Sequence, residues 1–535
     1  MTTSELVYTS LDVIDTKMAV SKEFYFSRQK ELSDAKNIAK TDLQFRLKQL
    51  KRLYNAVKKN EASLIRAMEK DYHRAPQESL QLELIPLYND ILHMIDCLPK
   101  WIKAKRVGDY SPAYMLGSVY VEKIARGSVL VVSPCNFPVL LALTPVANAI
   151  AAGNSVILKP SELTPATARE MQRIIEETVF PHGLLQVVQG AIPETTQLIR
   201  SPTFDMIFYT GSPKVGSIVA QEAGKNLTPC VLELGGKSPA FLTKNFDIRN
   251  RSKLHTAMKR LFFGAFSNAG QICVTPDYLV IHESIYDEVI REAKIVLNEM
   301  YPEFSNATDY THMIGDRGYN VLTNLLEKTQ GETYTPTAAA GFKSDTQDGK
   351  YCIPPTLVFD CPWDDPLMME ENFGPVLPFY KYSDLDETLD QIIARVDQPL
   401  VQYLFSDSAH ERQKILTRLR SGDCLIGDTI IHVGIQESPF GGIGTSGYGN
   451  YGGQYGYDAF VHERTVFKQP FWMDFMLFMR YAPYTEAKRA LVQVATEQRA
   501  WFDEDGNDYW YHNRLLYFFS FIGVALGALF AAYRS

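Results

Sequence analysis

The chain has 535 residues, of which 46% are hydrophobic and 22% are charged. A chain of this length and composition can bury several cores, so we expect two or three folded domains and little disorder. The formal net charge of -8 and the lack of a long basic block argue against a nucleic-acid-binding protein.

The seven cysteines are scattered along the chain, at positions 97, 135, 230, 273, 352, 361 and 424. Their odd number and the lack of any CxxC spacing argue against a disulfide framework and against a zinc site, and they favour a reducing compartment. The first twenty residues carry acidic side chains, and the first arginine is Arg28. This fits neither a secretory signal nor a cationic transit peptide, so we expect the N-terminus to start in the cytosol.

The first periodic segment predicts a long amphipathic helix. Its apolar residues recur at intervals of three and four, at positions 43, 47, 50, 54 and 57. From about Gly127, short β-branched runs alternate with helix-compatible stretches. The predicted strands cover 129–132, 156–158, 185–188, 206–209 and 231–234, and the predicted helices cover 139–152 and 214–223. This alternation predicts a mostly parallel sheet covered by helices on both faces.

A second alternation of helices and strands, from His255 to about Ile431, is assigned to a separate catalytic lobe. The segment 441–456 contains eight glycines in sixteen residues, too many for regular helix. It predicts tight turns around a site or a subunit contact. The acidic stretch 502–508 predicts a linker.

The C-terminus carries a run of 19 residues without formal charge, 515–533, between Arg514 and Arg534. At about 1.5 Å per residue, a helix of this length matches a hydrocarbon core of about 30 Å. The alternative is a buried terminal helix, although internal helices of this length usually keep a polar stripe. We therefore predict a membrane tail anchor, with the preceding chain on the cytosolic side.

The turn 211–216 matches neither glycine-rich phosphate fingerprint. Gly211 and Gly216 lack the GxGxxG spacing, and Gly216 is followed by Ser217 rather than by lysine. The turn nevertheless leads from a predicted strand into a predicted helix, so its backbone donors could hold a diphosphate. An ordinary strand-to-helix turn explains the pattern equally well.

Seven short motifs occur in an order that resembles the aldehyde dehydrogenases. They are SPCNFPV at 133–139, LKPSE at 158–162, FYTGS at 208–212, LELGGK at 232–237, NAGQICV at 268–274, EENFGPV at 370–376 and PFGG at 439–442. Each motif alone is weak, whereas seven in order are highly specific. The resemblance covers about 25–480. The glycine-rich ending resembles the class 3 branch, and the predicted anchor resembles its fungal membrane-anchored fatty aldehyde dehydrogenases.

The resemblance implies three catalytic residues. Cys273 would be the nucleophile, because a thiolate attacks a carbonyl at neutral pH better than an alcohol does. Asn136, with the backbone N–H of Cys273, would donate to the oxyanion of the thiohemiacetal. Glu233 would activate the water that hydrolyses the thioester. Without the resemblance, these residues would be read as a core cysteine, a turn asparagine and a solvent-facing carboxylate.

The resemblance also implies a nicotinamide cofactor and no metal. Its positions match Lys159 and Glu162 for the adenosine ribose, Gly211 and Ser212 for the diphosphate, and Glu371 and Phe373 for the nicotinamide ribose and ring. The first pair follows a predicted parallel strand, at the edge where such sheets bind ligands. A carboxylate that accepts ribose hydroxyls would repel a 2′-phosphate, so NAD is favoured and NADP is the alternative.

Some features depart from the family pattern. Cys135 stands where many members have a bulky aromatic residue, Asn372 where a branched aliphatic residue is usual, and Gly427 where class 3 commonly has asparagine. The interval from Glu233 to Cys273 is 40 residues, longer than in the family. We expect the polar stretch 245–253 to be a surface insertion. If it displaced Glu233 instead, release of the acid would be impaired.

The predicted organisation is α/β and homodimeric. It comprises an N-terminal extension (1–24), a Rossmann-like parallel-sheet NAD-binding domain (25–234) with part of a small β oligomerisation arm near 113–126, an α/β catalytic domain (235–430), a glycine-rich oligomerisation segment (431–470), a C-terminal extension and linker (471–514) and a transmembrane helix (515–533). The apolar segment 471–479 could lie in the membrane interface or pack on the partner subunit.

The predicted anchor determines the expected substrate. An anchored enzyme meets aldehydes that partition into lipid, so we expect a long-chain fatty aldehyde such as hexadecanal, each buried methylene adding roughly 0.8 kcal/mol. An aromatic aldehyde such as hydroxybenzaldehyde is the alternative substrate. A thiol esterase and a catalytically silent membrane-tethered scaffold are the rival functions. The resemblance favours the mitochondrial outer membrane, with the endoplasmic reticulum and the lipid droplet as alternatives.

Overall fold

The structure is a computed structural model that describes residues 6–108, 117–305, 309–346, 349–396, 398–497 and 500–508. The chain divides into two compact units. The larger unit contains Met1–Trp101 and Ala125–Val461, and the smaller contains Ile102–Ile124 and His462–Ser535. The predicted transmembrane helix at 515–533 lies outside the described residues. No helix that the structure describes combines the length and the apolar character needed to cross a membrane.

The described helices, in chain order, have the following bounds. They are α1 Leu11–Ser33, α2 Ile38–Lys59, α3 Glu61–Tyr72, α4 Pro76–Ser79, α5 Ile85–Trp101, α6 Leu140–Ala152, α7 Pro165–Glu177, α8 Ile192–Arg200, α9 Pro213–Lys225, α10 Arg251–Phe266, α11 Glu283–Met300, α12 Gly315–Lys328, α13 Leu385–Arg395, α14 Ala409–Arg418, α15 Gly453–Ala459 and α16 Glu486–Thr496. One turn of π-helix, Leu80–Leu84, joins α4 to α5.

The described strands have the following bounds. They are β1 Lys105–Arg106, β2 Ser118–Ala125, β3 Ser128–Val132, β4 Ser155–Lys159, β5 Leu185–Val187, β6 Met206–Gly211, β7 Cys230–Leu234, β8 Pro239–Leu242, β9 Tyr278–His282, β10 Glu332–Tyr334, β11 Thr356–Phe359, β12 Val376–Tyr382, β13 Val401–Phe405, β14 Asp423–Ile426, β15 Gly447–Tyr448 and β16 Val461–Lys468.

The first sheet of the larger unit has the strand order β15-β7-β6-β3-β4-β5. Its ladders are parallel except for that between β15 and β7. From β3 the chain builds outward through β4 and β5, and it then returns to add β6 and β7 on the other side. Sheets of this Rossmann type bind ligands beyond the carboxyl ends of their strands, near the point where the order reverses. The predicted parallel sheet is confirmed.

The second sheet has the order β10-β11-β12-β9-β8-β13-β14 and is parallel apart from the β10 edge. Fully buried side chains such as Val280, Leu404 and Leu389 pack on it. The predicted second α/β region is therefore present. Since β8 follows β7 after four residues, the chain passes directly from one sheet to the other.

The N-terminal region is part of the larger unit's core. Helix α1 continues across residue 24, where we expected an extension to end, and it buries Ile14 and Met18 among residues of the first sheet. The predicted amphipathic helix is α2, whose Leu50, Leu53 and Val57 are at most 1% exposed. Burial of these apolar faces supplies most of the stability of such helices.

The glycine-rich segment forms turns, as predicted, but it also contains regular structure. Gly447 and Tyr448 form β15, which pairs antiparallel with β7. Gly447 has a φ of +120°, and a Cβ there would lie 2.0 Å from the Leu232 carbonyl oxygen, so only glycine fits. The expectation that no helix forms here was wrong for 453–459, which is helix α15, capped by the backbone rather than by a side chain.

The smaller unit contains a three-stranded sheet of the order β1-β2-β16. After β16, the segment 471–480 forms short 3₁₀ turns in which Phe471 is 99% exposed and Trp472 63% exposed. Helix α16 follows. The predicted acidic linker at 502–508 forms a turn closed by a bridge between Phe502 and Asp508.

Candidate active site

The loop that carries Cys273 follows α10 and has an unusual backbone. Asn268, Ala269 and Gly270 all have positive φ, of 52°, 50° and 67°. Two consecutive non-glycine residues in this region are uncommon and persist only where the surroundings hold them. Here the buried Asn268 side chain donates hydrogen bonds of 3.1 Å to the carbonyls of Asn136 and Gln271. These bonds hold the loop in its conformation.

Asn136 and the Cys273 loop lie together. The Asn136 side chain is 4% exposed and donates through Nδ2 to the Gln271 carbonyl at 3.0 Å. A primary amide carries two N–H groups. One of them binds the loop. The structure thus brings together two residues 137 positions apart in the sequence.

Gln271 supports the same loop and was not singled out by the sequence. It is 2% exposed, and its amide nitrogen donates to the carbonyls of Asn268 and His312, each at 3.0 Å. Its side-chain oxygen accepts the N–H of Ile314 at 2.8 Å. Both polar atoms are therefore paired, and they tie the Cys273 loop to the segment before α12.

A buried ion pair supports the Asn136 loop. Glu83 and Arg74 have fully buried side chains and form a salt bridge. The other oxygen of Glu83 accepts the N–H groups of Val139 and Leu140, at 2.8 and 2.9 Å, at the start of α6. A carboxylate at a helix N-terminus satisfies donors that the helix leaves free. Glu83 therefore positions the segment that immediately follows Asn136.

Glu78, one turn earlier, supports the Cys273 loop. Its two oxygens accept the N–H of Asn268 at 3.1 Å and the hydroxyl of Thr311 at 2.5 Å. Glu78 and Glu83 flank the start of the π-helical turn, a feature frequent at functional sites. A single helical segment therefore supports both loops. No motif in the sequence indicated either carboxylate.

The thiol of Cys273 is half-buried, and two acidic side chains lie close enough to act on it. Burial, followed by the nearby carboxyls of Glu371 and Glu233, raises the pKa of the Cys273 thiol to about 12. The thiol is therefore protonated at neutral pH in the free protein. A bound positive charge or a proton acceptor would have to activate it.

Glu233 lies at the end of β7 and pairs with Gly447 of β15. Its side chain is 3% exposed, and neither carboxylate oxygen has a hydrogen-bond partner of normal geometry among the described residues. Burial raises the pKa of Glu233 well above its usual value, Asp423 raises it further, and the Gly442 amide partly offsets the rise. A buried carboxyl without partners is suited to exchanging a proton with water or substrate.

A second, partly buried acid, Asp423, lies near Glu233. Burial raises the pKa of Asp423 to about 6, and its Oδ2 lies 3.6 Å from Nε2 of His432. Burial lowers the pKa of His432 to about 4, so the imidazole is neutral at pH 7. The sequence did not indicate this pair, because neither residue belongs to a motif.

Glu371 lies on a loop that a buried lysine fixes. Lys237 forms an ion pair with Asp277 and donates to the carbonyls of Leu367 and Glu370, each at 2.8 Å. These bonds position the backbone immediately before Glu371. Lys237 belongs to the LELGGK motif, but only the structure shows its partners.

One oxygen of the Glu371 side chain is an acceptor without a partner among the described residues. This oxygen, Oε1, is buried and has no hydrogen bond in the part of the chain that the structure describes. Burial, followed by the Asp277 charge, raises the pKa of Glu371 to about 8. A Cβ at Gly235 would lie 2.1 Å from Oε2 of Glu371, so a larger residue there would have to displace the Glu371 carboxylate. Phe373 follows on the same loop, with a φ of +45°.

The remaining candidate residues lie at the carboxyl ends of the first sheet. Lys159 ends β4, and its side chain, 5% exposed, pairs with Oε2 of Glu162 at 2.6 Å. Gly211 ends β6, and Ser212 is the N-cap of α9. Both pairs lie at the edge where a parallel sheet binds ligands.

The long interval between Glu233 and Cys273 does not separate them, because Glu233 is close enough to raise the pKa of Cys273. The stretch 245–253 lies mostly at the surface before and at the start of α10. Only Phe246 within it is buried, at 5% exposure. The stretch therefore forms a surface feature and does not move Glu233 away from Cys273.

The comparisons with known proteins agree with this geometry. The sequence model of the aldehyde dehydrogenase family matches residues 22–466. Fatty aldehyde dehydrogenase HFD1 of Saccharomyces cerevisiae is 56% identical over 506 residues, 94% of each chain. Aldehyde dehydrogenase family 3 member A2 of Pongo abelii is 33% identical, over 83% of this chain and 88% of its own. The substrate-bound AldH structure from Staphylococcus aureus is similar with a TM-score of 0.78 and 36% identity, covering 85% of this chain and 94% of that one. This chain is therefore an oxidoreductase that belongs to the aldehyde dehydrogenase family.

Proposed function

We propose that this aldehyde dehydrogenase oxidises long-chain fatty aldehydes to carboxylic acids with NAD, through a covalent adduct on Cys273. The observation that carries the mechanism is the mutual hydrogen bonding of Asn136 and the Cys273 loop. This hydrogen bonding sets an amide donor on the loop that carries the Cys273 thiol. Two carboxyls, Glu371 and Glu233, lie close to that thiol. The fatty aldehyde activity of the 56% identical relative supports the substrate class.

The first step is addition. The Cys273 thiol gives its proton to solvent water, the resulting thiolate forms a bond to the aldehyde carbon, and the carbonyl π electrons move to oxygen to give the thiohemiacetal oxyanion. Asn136 and the Cys273 amide stabilise that oxygen, and one such donor contributes about 10²- to 10³-fold in rate. The carbon then loses hydride, the C–O double bond re-forms, and a thioester remains on Cys273.

The second step is hydrolysis. Glu233 takes a proton from water while the water oxygen bonds to the thioester carbon, and collapse of the adduct releases the acid and the thiol. The buried position of Glu233 supports this role, because a raised pKa makes the carboxylate a stronger base once it has ionised. The base must therefore be deprotonated before each hydrolysis.

The residues of the first sheet fit a nicotinamide dinucleotide. Such a cofactor, when bound, supplies a two-electron hydride acceptor. Ser212 and the first turn of α9 would hold its diphosphate, and Glu371, whose buried Oε1 has no partner among the described residues, would accept a hydroxyl of the nicotinamide ribose. Phe373 would flank the nicotinamide ring.

Preference for NAD over NADP would depend on Glu162. Its carboxylate is held by Lys159 at the end of β4, and it would accept the adenosine ribose hydroxyls. A 2′-phosphate there would face a negative charge at short range. The Glu162→Gln variant should therefore raise kcat/KM for NADP relative to NAD, and an unchanged ratio would contradict this assignment.

The test of the activity measures NADH formation by the purified full chain with NAD and hexadecanal. Cys273→Ala should form none, whereas Cys230→Ala, which removes another half-buried thiol, should retain normal turnover. Turnover by Cys273→Ala equal to that of the wild type would refute the mechanism. Comparison of kcat/KM for hexadecanal and hydroxybenzaldehyde decides the substrate class, and a higher value for the aromatic aldehyde would overturn the fatty assignment.

The membrane role rests on the uncharged run 515–533 and on the relative's fatty substrate. We propose a tail-anchored homodimer with its catalytic unit in the cytosol, most favourably on the mitochondrial outer membrane. Deletion of 515–535 should move the enzyme to the soluble fraction and leave activity on short aldehydes intact. If the truncated enzyme still sediments with membranes, the anchor lies elsewhere. The mass of the soluble form, by sedimentation equilibrium, tests the dimer.

A further inference from the structure

Three metal-ligating side chains converge at the end of α5, away from the residues described above. His93 and Cys97 are one helical turn apart on α5, and Glu437 reaches them from the segment before the PFGG motif. Nε2 of His93 lies 2.5 Å from Oε1 of Glu437, and Nδ1 lies 3.8 Å from Sγ of Cys97. The Trp101 ring packs against the imidazole with centroids 5.8 Å apart. The cluster therefore has a defined arrangement.

We infer that His93, Cys97 and Glu437 form a binding site for a zinc ion. One ligand atom from each residue can be chosen so that all three lie within 4.8 Å of one another. Tetrahedral zinc with bonds of about 2.0–2.3 Å places its ligands about 3.5 Å apart, so the widest pair of ligand atoms would close by about 1 Å and the His93–Glu437 pair would open by about 1 Å. The two short contacts use opposite ring nitrogens, so only one of these nitrogens would bind the ion and the His93 ring would have to turn.

The chemistry of the three side chains selects zinc among common divalent ions. Magnesium and calcium prefer oxygen ligands alone, whereas a thiolate, an imidazole and a carboxylate together suit zinc. The carboxylate is 54% exposed, so water can occupy the fourth position. Binding would displace the thiol proton to solvent, as zinc sites on cysteine do.

The position of the site suggests what the ion would do. Glu437 is three residues before Phe440, and the segment continues into Gly442, whose amide faces Glu233. Zinc would fasten this segment to α5, adding a link between a rigid helix and the wall of the catalytic cleft. The ion would therefore reduce the mobility of residues 435–440.

The test uses cobalt as a spectroscopic probe for the zinc site. Full-length protein titrated with Co²⁺ should develop one sulfur-to-cobalt charge-transfer band per chain, and equimolar Zn²⁺ should abolish it. The band should be absent in Cys97→Ser and present in Cys230→Ser. His93→Gln and Glu437→Gln should weaken metal binding by about 100-fold or more, since even outer-shell changes cost 10- to 100-fold.

The controls separate this site from the catalytic thiol. A band that disappears in Cys273→Ser but persists in Cys97→Ser would locate the metal at the catalytic cysteine and overturn the inference. No band in the wild-type protein would show that the three side chains form only a hydrogen-bonded chain. Amide hydrogen exchange gives a second readout: zinc should slow exchange at 435–440 in the wild type and leave it unchanged in Glu437→Gln. Circular dichroism confirms that each variant is folded.

Discussion

Replacement of Asn136 by alanine removes the amide that we assign to the oxyanion. The loss of one such donor costs about 10²- to 10³-fold in rate, or about 2.7–4 kcal/mol of transition-state stabilisation. The loss in the free energy of unfolding should be smaller than this loss of transition-state stabilisation. The Gln271 carbonyl that accepts from Asn136 also accepts from Asn268 at 3.1 Å, so it keeps one partner. One lost hydrogen bond of this kind costs about 1 kcal/mol.

The assay for Asn136→Ala is the single-turnover rate of NADH formation at saturating hexadecanal, with the urea midpoint measured in parallel. The matched control is Asn148→Ala, which removes another buried asparagine amide, bonded to the Thr144 carbonyl within α6. Asn148→Ala should lose similar stability and keep its rate. Equal rates in the two variants, or an effect confined to KM, would refute the oxyanion assignment.

Further predictions concern the buried acids. Glu233→Gln should form one equivalent of NADH and then stall with a thioester on Cys273, which mass spectrometry detects. Sustained turnover within tenfold of the wild type would contradict the assignment of Glu233 as the base, since general bases contribute about 10²- to 10⁴-fold. Asp423→Asn should move the acid limb of the pH–kcat profile to lower pH, because the Asp423 anion, present above a pH of about 6, raises the pKa of Glu233. The control is Asp390→Asn, which changes a surface carboxyl and should leave the limb where it is. An unmoved limb in Asp423→Asn would exclude the coupling between Asp423 and Glu233. Glu371 binds its proton more tightly in the folded protein than in the unfolded chain. Its contribution to the free energy of unfolding therefore falls as the pH rises from about 4.5 to about 8. Glu371→Gln should therefore be more stable than the wild type at pH 9 and should match it at pH 4, as measured by urea unfolding. The difference at pH 9 should be at most about 5 kcal/mol, which is the free energy that corresponds to the difference between the two pKa values. Glu83→Gln leaves Arg74 buried without a counter-charge and should lose about 3–5 kcal/mol in urea unfolding, part of which Arg74→Met should restore in the double variant.

The sequence predicted the five parallel strands of the first sheet, but not β15, and the candidate residues that lie at its carboxyl ends. Short β-branched runs such as 129–132 are buried on both faces, and their pattern reflects that burial directly. Cys273, Asn136 and Glu233 were singled out because each lies in a motif. The sequence did not predict Glu78 and Glu83, which support the loops of Cys273 and Asn136, because these two carboxylates contact residues 190 and 56 positions away. A single sequence carries no local signal for partners at that distance.

Local rules also failed where tertiary contacts override them. Glycine density at 441–456 excluded helix by propensity, yet α15 forms because its Gly456 packs closely against Asn148 of α6. Spacing along the sequence also could not reveal that Glu437 lies beside His93 and Cys97, across 340 residues, so the expectation of no zinc site stays a prediction that the cobalt titration tests. Metal ligands that lie on a helix and on a distant loop form no local sequence pattern, so rules based on cysteine and histidine spacing do not recognise them.

The pairing of Gly447 with Glu233 affects when the catalytic centre is completed during synthesis. The strand that carries Glu233 lies at the edge of its sheet until β15 pairs with it. Since Glu78 supports the Cys273 loop from the other end of the chain, the centre draws on positions from 78 to 447. A nascent chain that stops between Cys273 and β15 has the thiol and the carboxylate but lacks the strand that pairs beside Glu233. Synthesis therefore has to pass Tyr448 before all of these parts can come together.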